Sequence, residues 1–390
     1  MDVTQVYSLV NSVTQEILGE SAVLQEDLSN VVDIGRAVFN ASSVDNYVRS
    51  LVNHIGRVIF VNRPYLGNVP NVLMDSWEYG SVCQKIRAVM PTATENPSWE
   101  LTDGQEYSPN VFHKPTVVNK FFNSKTTFEI DISITERQVK ESFSNAGQLG
   151  AFVAMIFNAV EKSMSVKADA LIMRTINSFT AATINADYGA DALSSKSGVK
   201  AVNLLYQFNQ AFPRDTPLTP EKAIFDADFI KYASYVMMEY KSRLSKISKL
   251  FNIGASDKFT NADYLHIVML SSFVNAADFF LQSSTFHDMY TALPNAENVP
   301  YWQGSGQSYA FADASKIDVQ TLGGAGTAIS VSASGLLAVM FDRDALGVTN
   351  LNRRVTTAYN PKAEFTNNFF KFDAGYFNDY DENFVAFFVA

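Results

Sequence analysis

Four histidines, one cysteine and a C-terminal group of carboxylates are the residues of this chain whose chemistry could serve catalysis or metal binding. His54, His113, His266 and His287 are scattered, with no spacing that sets two on one helical face, so neither a zinc site nor a facial triad is expected. His266 falls within an apolar strand, where a hydrogen-bonded core histidine is the plain reading. Asp373, Asp379, Asp381 and Glu382 could supply paired carboxylates or calcium ligands, yet the glycine and ligand spacing of an EF-hand is missing. A surface turn between the last two strands accounts for them. The glycines at 304–306 and 323–326 are followed by no Lys-Ser or Lys-Thr, and they match neither a dinucleotide fingerprint nor a hydrolase elbow. A single cysteine, Cys83, rules out an intrachain disulfide framework and reads as a small buried hydrophobe. No catalytic, cofactor or metal site is expected, and the chain reads as a non-enzyme.

The elements point instead to contact between molecules. Phe128, Ile130, Ile132 and Ile134 alternate with Glu129, Asp131 and Ser133, the period of a half-buried strand. Val117, Val118, Phe121 and Phe122 form a second β-prone run, and the polar Asn123, Ser124 and Lys125 lie between the two. This spacing predicts a β-hairpin with its tip near Ser124. Ser144 or Asn145 then offers an N-cap, and Leu149, Phe152, Val153, Ile156, Val160, Met164, Leu171, Ile172, Ile176 and Phe179 recur at helical spacing with no proline before Thr180. Unbroken, that helix would be on the order of 50 Å long at ~1.5 Å per residue. Two shorter helices meeting near Ser163 to Ser165 are the alternative. A hairpin leading into a rod suits a subunit that holds its neighbours.

The 390 residues allow two or three compact units, and 47% apolar against 18% charged residues make the chain globular. Thirty Phe and seventeen Tyr exceed what one core of this size requires, and large aromatics are favoured where subunits bury surface against each other. A net charge of −10 argues against gripping nucleic-acid phosphates. The first twenty residues carry Asp2, Glu16 and Glu20 and no basic leader pattern, and no apolar run is long enough to span a membrane.

Along the chain, residues 3–60 read as helical pieces followed by a short strand at Val58 to Val61. Half of the twelve prolines fall within residues 62–116, an extended arm with little regular core. Asn185 to Gly198 is a polar linker. Beyond it, a strand at Ala223 to Phe225, a helix capped by Asp226 or Asp228, a strand at Leu265 to Leu270, a helix around Ala276 to Leu281 and a strand at Leu336 to Phe341 indicate an α/β unit. Closing strands near 353–358, 365–372 and 384–389 are expected to return to the long helix, giving a discontinuous domain.

This order of parts resembles the major capsid proteins of tailed bacteriophages, built on the fold named after phage HK97. The strings LVNHIGRVIF (Leu51 to Phe60), AVMFDRDALGV (Ala338 to Val348), AYNP (Ala358 to Pro361) and ENFVAFFV (Glu382 to Val389) are similar in spacing to those of short-tailed phages related to phi29. The resemblance implies an α+β, HK97-like capsid fold: N-terminal arm (1–75), extended arm and projecting β-hairpin or extended loop (76–135), spine helix of a peripheral domain (136–198), axial α/β domain (199–346) and return strands of the peripheral domain (347–390). It implies homo-hexamers and homo-pentamers in an icosahedral head. Portal and scaffolding proteins are the implied partners, with packaged double-stranded DNA held without sequence-specific contact and no membrane. The implied place is the virion capsid, assembled in the host cytoplasm. Phe121, Phe122, Asn123, Ser124, Lys125 and Phe128 become the candidate inter-subunit contacts. An encapsulin-like compartment shell and a soluble α/β enzyme or binding protein are the alternatives.

Overall fold

The computed structural model describes residues 72–74, 83–135, 146–284, 294, 296–300, 302, 316–322 and 328–390. The elements expected within 3–60, the caps Ser144 and Asn145, His54, His287 and both glycine stretches lie outside these residues.

One helix, α1 (Ala146–Tyr188), runs unbroken for 43 residues, about 65 Å at 1.5 Å per residue, so the two-helix alternative is set aside. From Val160 onward it is buried on most sides, through Met164, Leu171, Ile172, Ile176 and Phe179. Three buried threonines in this stretch satisfy themselves locally: Thr175, Thr180 and Thr183 donate their hydroxyls to the carbonyls of Leu171, Ile176 and Phe179. Gly189 ends the helix at φ +60°, its N–H donating to the Asn185 carbonyl.

The C-terminal half of α1 packs on a five-stranded mixed sheet of order β5-β13-β10-β6-β7. Its strands are β5 (Ala201–Asn203), β6 (Leu265–Leu270), β7 (Glu297–Val299), β10 (Leu336–Asp342) and β13 (Phe384–Phe388). Of the three inner strands, β10 and β13 are buried at every residue, which explains their continuous apolar runs: a strand covered on both faces has no polar side. Phe384 and Phe387 sit on opposite faces. Phe384 stacks on Phe179 of α1 at 4.3 Å and on Phe341 at 5.8 Å, and Phe341 stacks on His266 at 5.7 Å. Phe387 meets Tyr240 edge-on at 5.3 Å. Tyr240 belongs to α3 (Ala227–Leu244), which follows α2 (Leu204–Ala211) and precedes α4 (Ser271–Ser284). That layer is dry enough for burial to push the Tyr240 phenol up to about 12.

The middle of α1 lies against a second sheet of order β1-β11-β12-β4. Here β11 (Leu346–Asn360) and β12 (Phe365–Asn378) pair antiparallel along their length, β4 (Lys125–Thr135) adds to β12, and β1 (Leu73–Met74) lies parallel on the outer edge of β11. Alternation sets the register: Ile130, Ile132 and Ile134 turn inward with Phe370 and Phe372, and Glu129, Asp131 and Lys371 turn outward. Asn360 caps the β11–β12 turn by accepting from the N–H groups of Lys362 and Ala363. Two antiparallel ribbons complete the description: β2 (Cys83–Ala88) with β3 (Val117–Phe122), and β8 (Lys316–Leu322) with β9 (Ala328–Ser334).

Three expectations are corrected by this topology. The runs 117–122 and 128–134 do not form a hairpin: β3 pairs with β2, and β4 pairs over eleven residues with β12. The two-residue hairpin turns that would have closed them need φ > 0, which Asn123 and Ser124 do not adopt. Strand β4 gains more by extending a sheet than by pairing in an isolated ribbon. The segment 347–390 does not return as one body. Strands β11 and β12 flank β4, but β13 inserts between β5 and β10, because a strand with no polar face needs a central position. Finally, Ala223 to Phe225 is no strand: Pro220–Ala223 forms one helical turn, as Thr219 followed by Pro220 and Glu221 favours.

Gly335 joins β9 to β10 at φ +80°, and a Cβ there would sit 1.9 Å from the Val389 carbonyl oxygen. Gly335→Ala should destabilise the subunit by on the order of 3 kcal/mol, from positive φ and a backbone clash together, read by urea unfolding.

Candidate functional site

The β2–β3 ribbon carries the features that distinguish this molecule from an ordinary packed domain. Its polarity is inverted. Lys85, Arg87 and Lys120 face inward beside Cys83, Val118 and Phe122, whereas Ile86, Val117 and Phe121 face solvent, with Phe121 63% exposed. Residues 89–116, between the strands, are exposed wherever burial is assigned, and they hold Trp99 at 95% and Phe112 at 84% exposure, with Met90, Leu101 and Val111 beside them. Isolated exposed hydrophobics are ordinary, but large aromatics presented together on an arm are the mark of a contact surface. The arm has some local order: Val89 donates to the Thr116 carbonyl at its base, and the Thr102 N–H donates to the Tyr107 hydroxyl at 3.1 Å.

The predicted contact residues divide. Phe121, Asn123, Ser124 and Lys125 are exposed. Phe122 packs on Phe377 with ring centroids 4.9 Å apart, and Phe128 stacks on Phe372 at 6.1 Å, so both serve the subunit's own packing. The Ser124 carbonyl accepts from the Tyr376 N–H. The six residues thus straddle the join between two sheets.

At its base the ribbon is fastened by charge. The β12–β13 turn, predicted as a surface feature, presents Asp379 and Glu382 almost fully buried, 2% and 5% exposed. Asp379 bridges two lysines, with Oδ2 2.9 Å from Lys85 Nζ and Oδ1 2.8 Å from Lys120 Nζ. Glu382 Oε1 takes Lys85 at 2.6 Å and Lys258 at 2.5 Å, and Asp381 takes Lys120 at 2.5 Å. Lys85 also donates to the Asp344 carbonyl at 3.1 Å. The turn itself is pinned: the Asp379 N–H donates to the Ala345 carbonyl, and the Gly254 N–H donates to the Tyr380 carbonyl. Gly254 approaches so closely that a Cβ would fall 1.8 Å from Asp381 Oδ1.

Burial alone would raise the Asp379 carboxyl, but hydrogen bonds from Lys120 and Lys85 and their charges outweigh it and hold it below the usual carboxylate range. Burial likewise works to lower Lys85 and Lys120, and their carboxylate partners raise both above the ordinary lysine value. The stability from Asp379 is therefore present above its unfolded pKa and lost as pH falls through its depressed folded value. That from the lysines is present below the ordinary lysine pKa and lost as pH rises through their raised ones. The network is intact across the neutral range.

Sequence reading missed Lys85, Lys120 and Lys258, and missed β2 altogether. A strand whose inward residues are cationic and whose outward residues are apolar defeats hydrophobic periodicity. The available signal was the acidic turn itself, whose buried carboxylates require cations from elsewhere. Among the described residues no group of three or more His, Cys, Asp or Glu is placed to hold a metal ion, and no helix is long and apolar enough to cross a membrane.

A sequence profile of the phi29-like phage major capsid protein matches residues 10–388. Among solved structures, the chain is similar to the capsid of Staphylococcus phage Andhra at 8% identity, over 85% of this chain and 87% of that one, with a TM-score of 0.49. It is also similar to the capsid of cyanophage P-SCSP1u at 7% identity, over 82% and 86%, TM-score 0.43. For the mature capsid of bacteriophage PhiM1 the values are 12% identity, 84% and 87%, TM-score 0.40. No curated protein sequence matches.

The split between Phe121 and Phe122 is measurable. Phe122→Ala should cost the isolated subunit roughly 1–3 kcal/mol through the lost contact with Phe377, whereas Phe121→Ala should stay within about 0.5 kcal/mol of wild type. Urea midpoints compared at constant m-value check both.

Proposed function

The chain belongs to the phi29-like phage major capsid protein family and is a shell protein of a phage head; from that premise we propose how its parts divide the work of assembly. The subunit has the HK97-like arrangement. The 83–122 ribbon and arm form the projecting extended loop, and α1 forms the spine. The β1-β11-β12-β4 sheet belongs to a peripheral domain, and the five-stranded sheet with its helices forms an axial domain. Copies close into hexamers and pentamers through heterologous contacts repeated around a ring. Each arm lies on the next copy, where Trp99, Leu101 and Phe112 find the apolar partners they lack in the single subunit. Phe121, Asn123, Ser124 and Lys125 add to this contact from the ribbon base.

The observation that carries this reading is the exposed aromatic arm. Trp99 and Phe112 are almost wholly exposed in the single subunit, and burying large aromatics in a neighbour is the strongest contribution a short arm can make to an interface. Portal and scaffolding proteins are the other partners, and assembly takes place in the host cytoplasm. The enclosed double-stranded DNA is held without sequence-specific contact, in keeping with a net charge of −10 that favours no tight grip on phosphates. Family membership favours the phage head over a protein-cargo compartment.

Trp99→Ser combined with Phe112→Ser tests the arm. Expressed with a scaffolding partner, the variant should remain a folded, unassembled subunit with an unchanged urea midpoint, while wild type forms particles visible by negative stain. Particles from the variant in wild-type yield would remove the arm from the interface.

A further inference from the structure

Lys85 and Lys120 are register partners on adjacent strands, directly opposite one another on the inward face of the ribbon. Like charges in that position push a strand pair apart. A two-stranded ribbon is marginal even without such a conflict. The apolar side chains give little help: Phe122 on Phe377 is the one ring contact the ribbon makes with the body among the described residues. The ribbon is nevertheless paired from Cys83 to Ala88, and among the described residues the Asp379 carboxylate is the group that reaches both ammoniums, with one oxygen on each at 2.9 and 2.8 Å.

We propose that Asp379 acts as an electrostatic catch for the arm: its carboxylate converts two mutually repelling lysines into a clamp, so that pairing of the ribbon and its docking on the body depend on this one negative charge. Glu382 and Asp381 reinforce the catch from the same turn by holding Lys85 and Lys120 in place, and Arg87 stands 4.0 Å from Asp381. Lys258, on the body side, shares Glu382 Oε1 with Lys85. The catch is preset, since the Asp379 N–H is held by the Ala345 carbonyl and its Oδ1 also accepts the Asp381 N–H at 3.2 Å. A carboxylate fixed in place before the ribbon arrives costs little further ordering when the lysines dock. The turn that carries it joins β12 of one sheet to β13 of the other, so the arm is fastened at the junction of the two sheets. Its direction in the free subunit is thereby set by the subunit's own body before any neighbour binds. This is independent of what the tip touches, and it is tested on the unassembled chain.

Hydrogen exchange of the full-length, unassembled chain at neutral pH reads the catch directly. In Asp379→Asn the amides of β2 and β3 should exchange at least about tenfold faster, and protease should cut within 89–116 sooner, while β10 and α1 keep their protection. The same substitution is then made in a Lys85→Met, Lys120→Met background, where no repulsion remains to be resolved. There, Asp379→Asn should leave β2–β3 exchange within about threefold of its parent. Unchanged exchange of the ribbon in the single variant overturns the proposal. So does a loss of protection, local or global, that persists in the lysine-free background, because Asp379 would then act through the fold of the turn and not through the lysine pair.

Discussion

The segment Phe384 to Phe388 has no polar face, and the rest of the architecture is arranged around that constraint. Such a strand cannot lie at an edge, where its unpaired backbone and apolar side chains would meet water. It therefore takes an inner position, antiparallel to β10 and parallel to β5, and needs a cover on each side. The long helix supplies one through Phe179 on Phe384, and the helix 227–244 supplies the other through Tyr240 on Phe387. Burial of large aromatics on both faces is the main stabilising term here, several kcal/mol for each ring by the usual area and cavity arithmetic.

Fixing that strand fixes what precedes it. The turn 379–383 enters β13 through hydrogen bonds to Ala345, Phe251 and Gly254, so its carboxylates have settled positions. Being nearly buried, they need partners, because an isolated charge out of water is costly and a paired one is tolerable. Two of the partners, Lys85 and Lys120, come from a ribbon that turns them inward and leaves Ile86, Val117 and Phe121 outward. Ion pairs join the ribbon to the body of the same subunit, and those three apolar side chains are left facing solvent.

The helix α1 connects both arrangements. It lies on the four-stranded sheet at its middle and on the five-stranded sheet toward its C-terminus. Arg353 of β11 stands 3.6 Å from Glu161 on the helix, with its guanidinium over Phe372, and Asn378 donates to the Thr175 carbonyl. A rod of about 65 Å anchored on two sheets resists bending between them. Helices of this length owe their stability to packing of this kind more than to intrinsic propensity.

Local chemistry was legible in the amino-acid order wherever it concerned a single element. The absence of proline through the Val160 to Phe179 stripe announced the long helix, the alternation from Phe128 to Ile134 announced a half-buried strand, and Asn360 with Pro361 announced a turn. Which strand pairs with which was decided only by tertiary structure, since pairing depends on contacts hundreds of residues apart whose free energies no local window contains. Neighbouring runs at 117–122 and 128–134 went to different sheets, and the last strand left its predecessors for a central slot. The acidic turn at 379–382 shows the limit most plainly. By itself it reads as solvated surface, and only the fold brings Lys85, Lys120 and Lys258 to it and makes its charges buried partners.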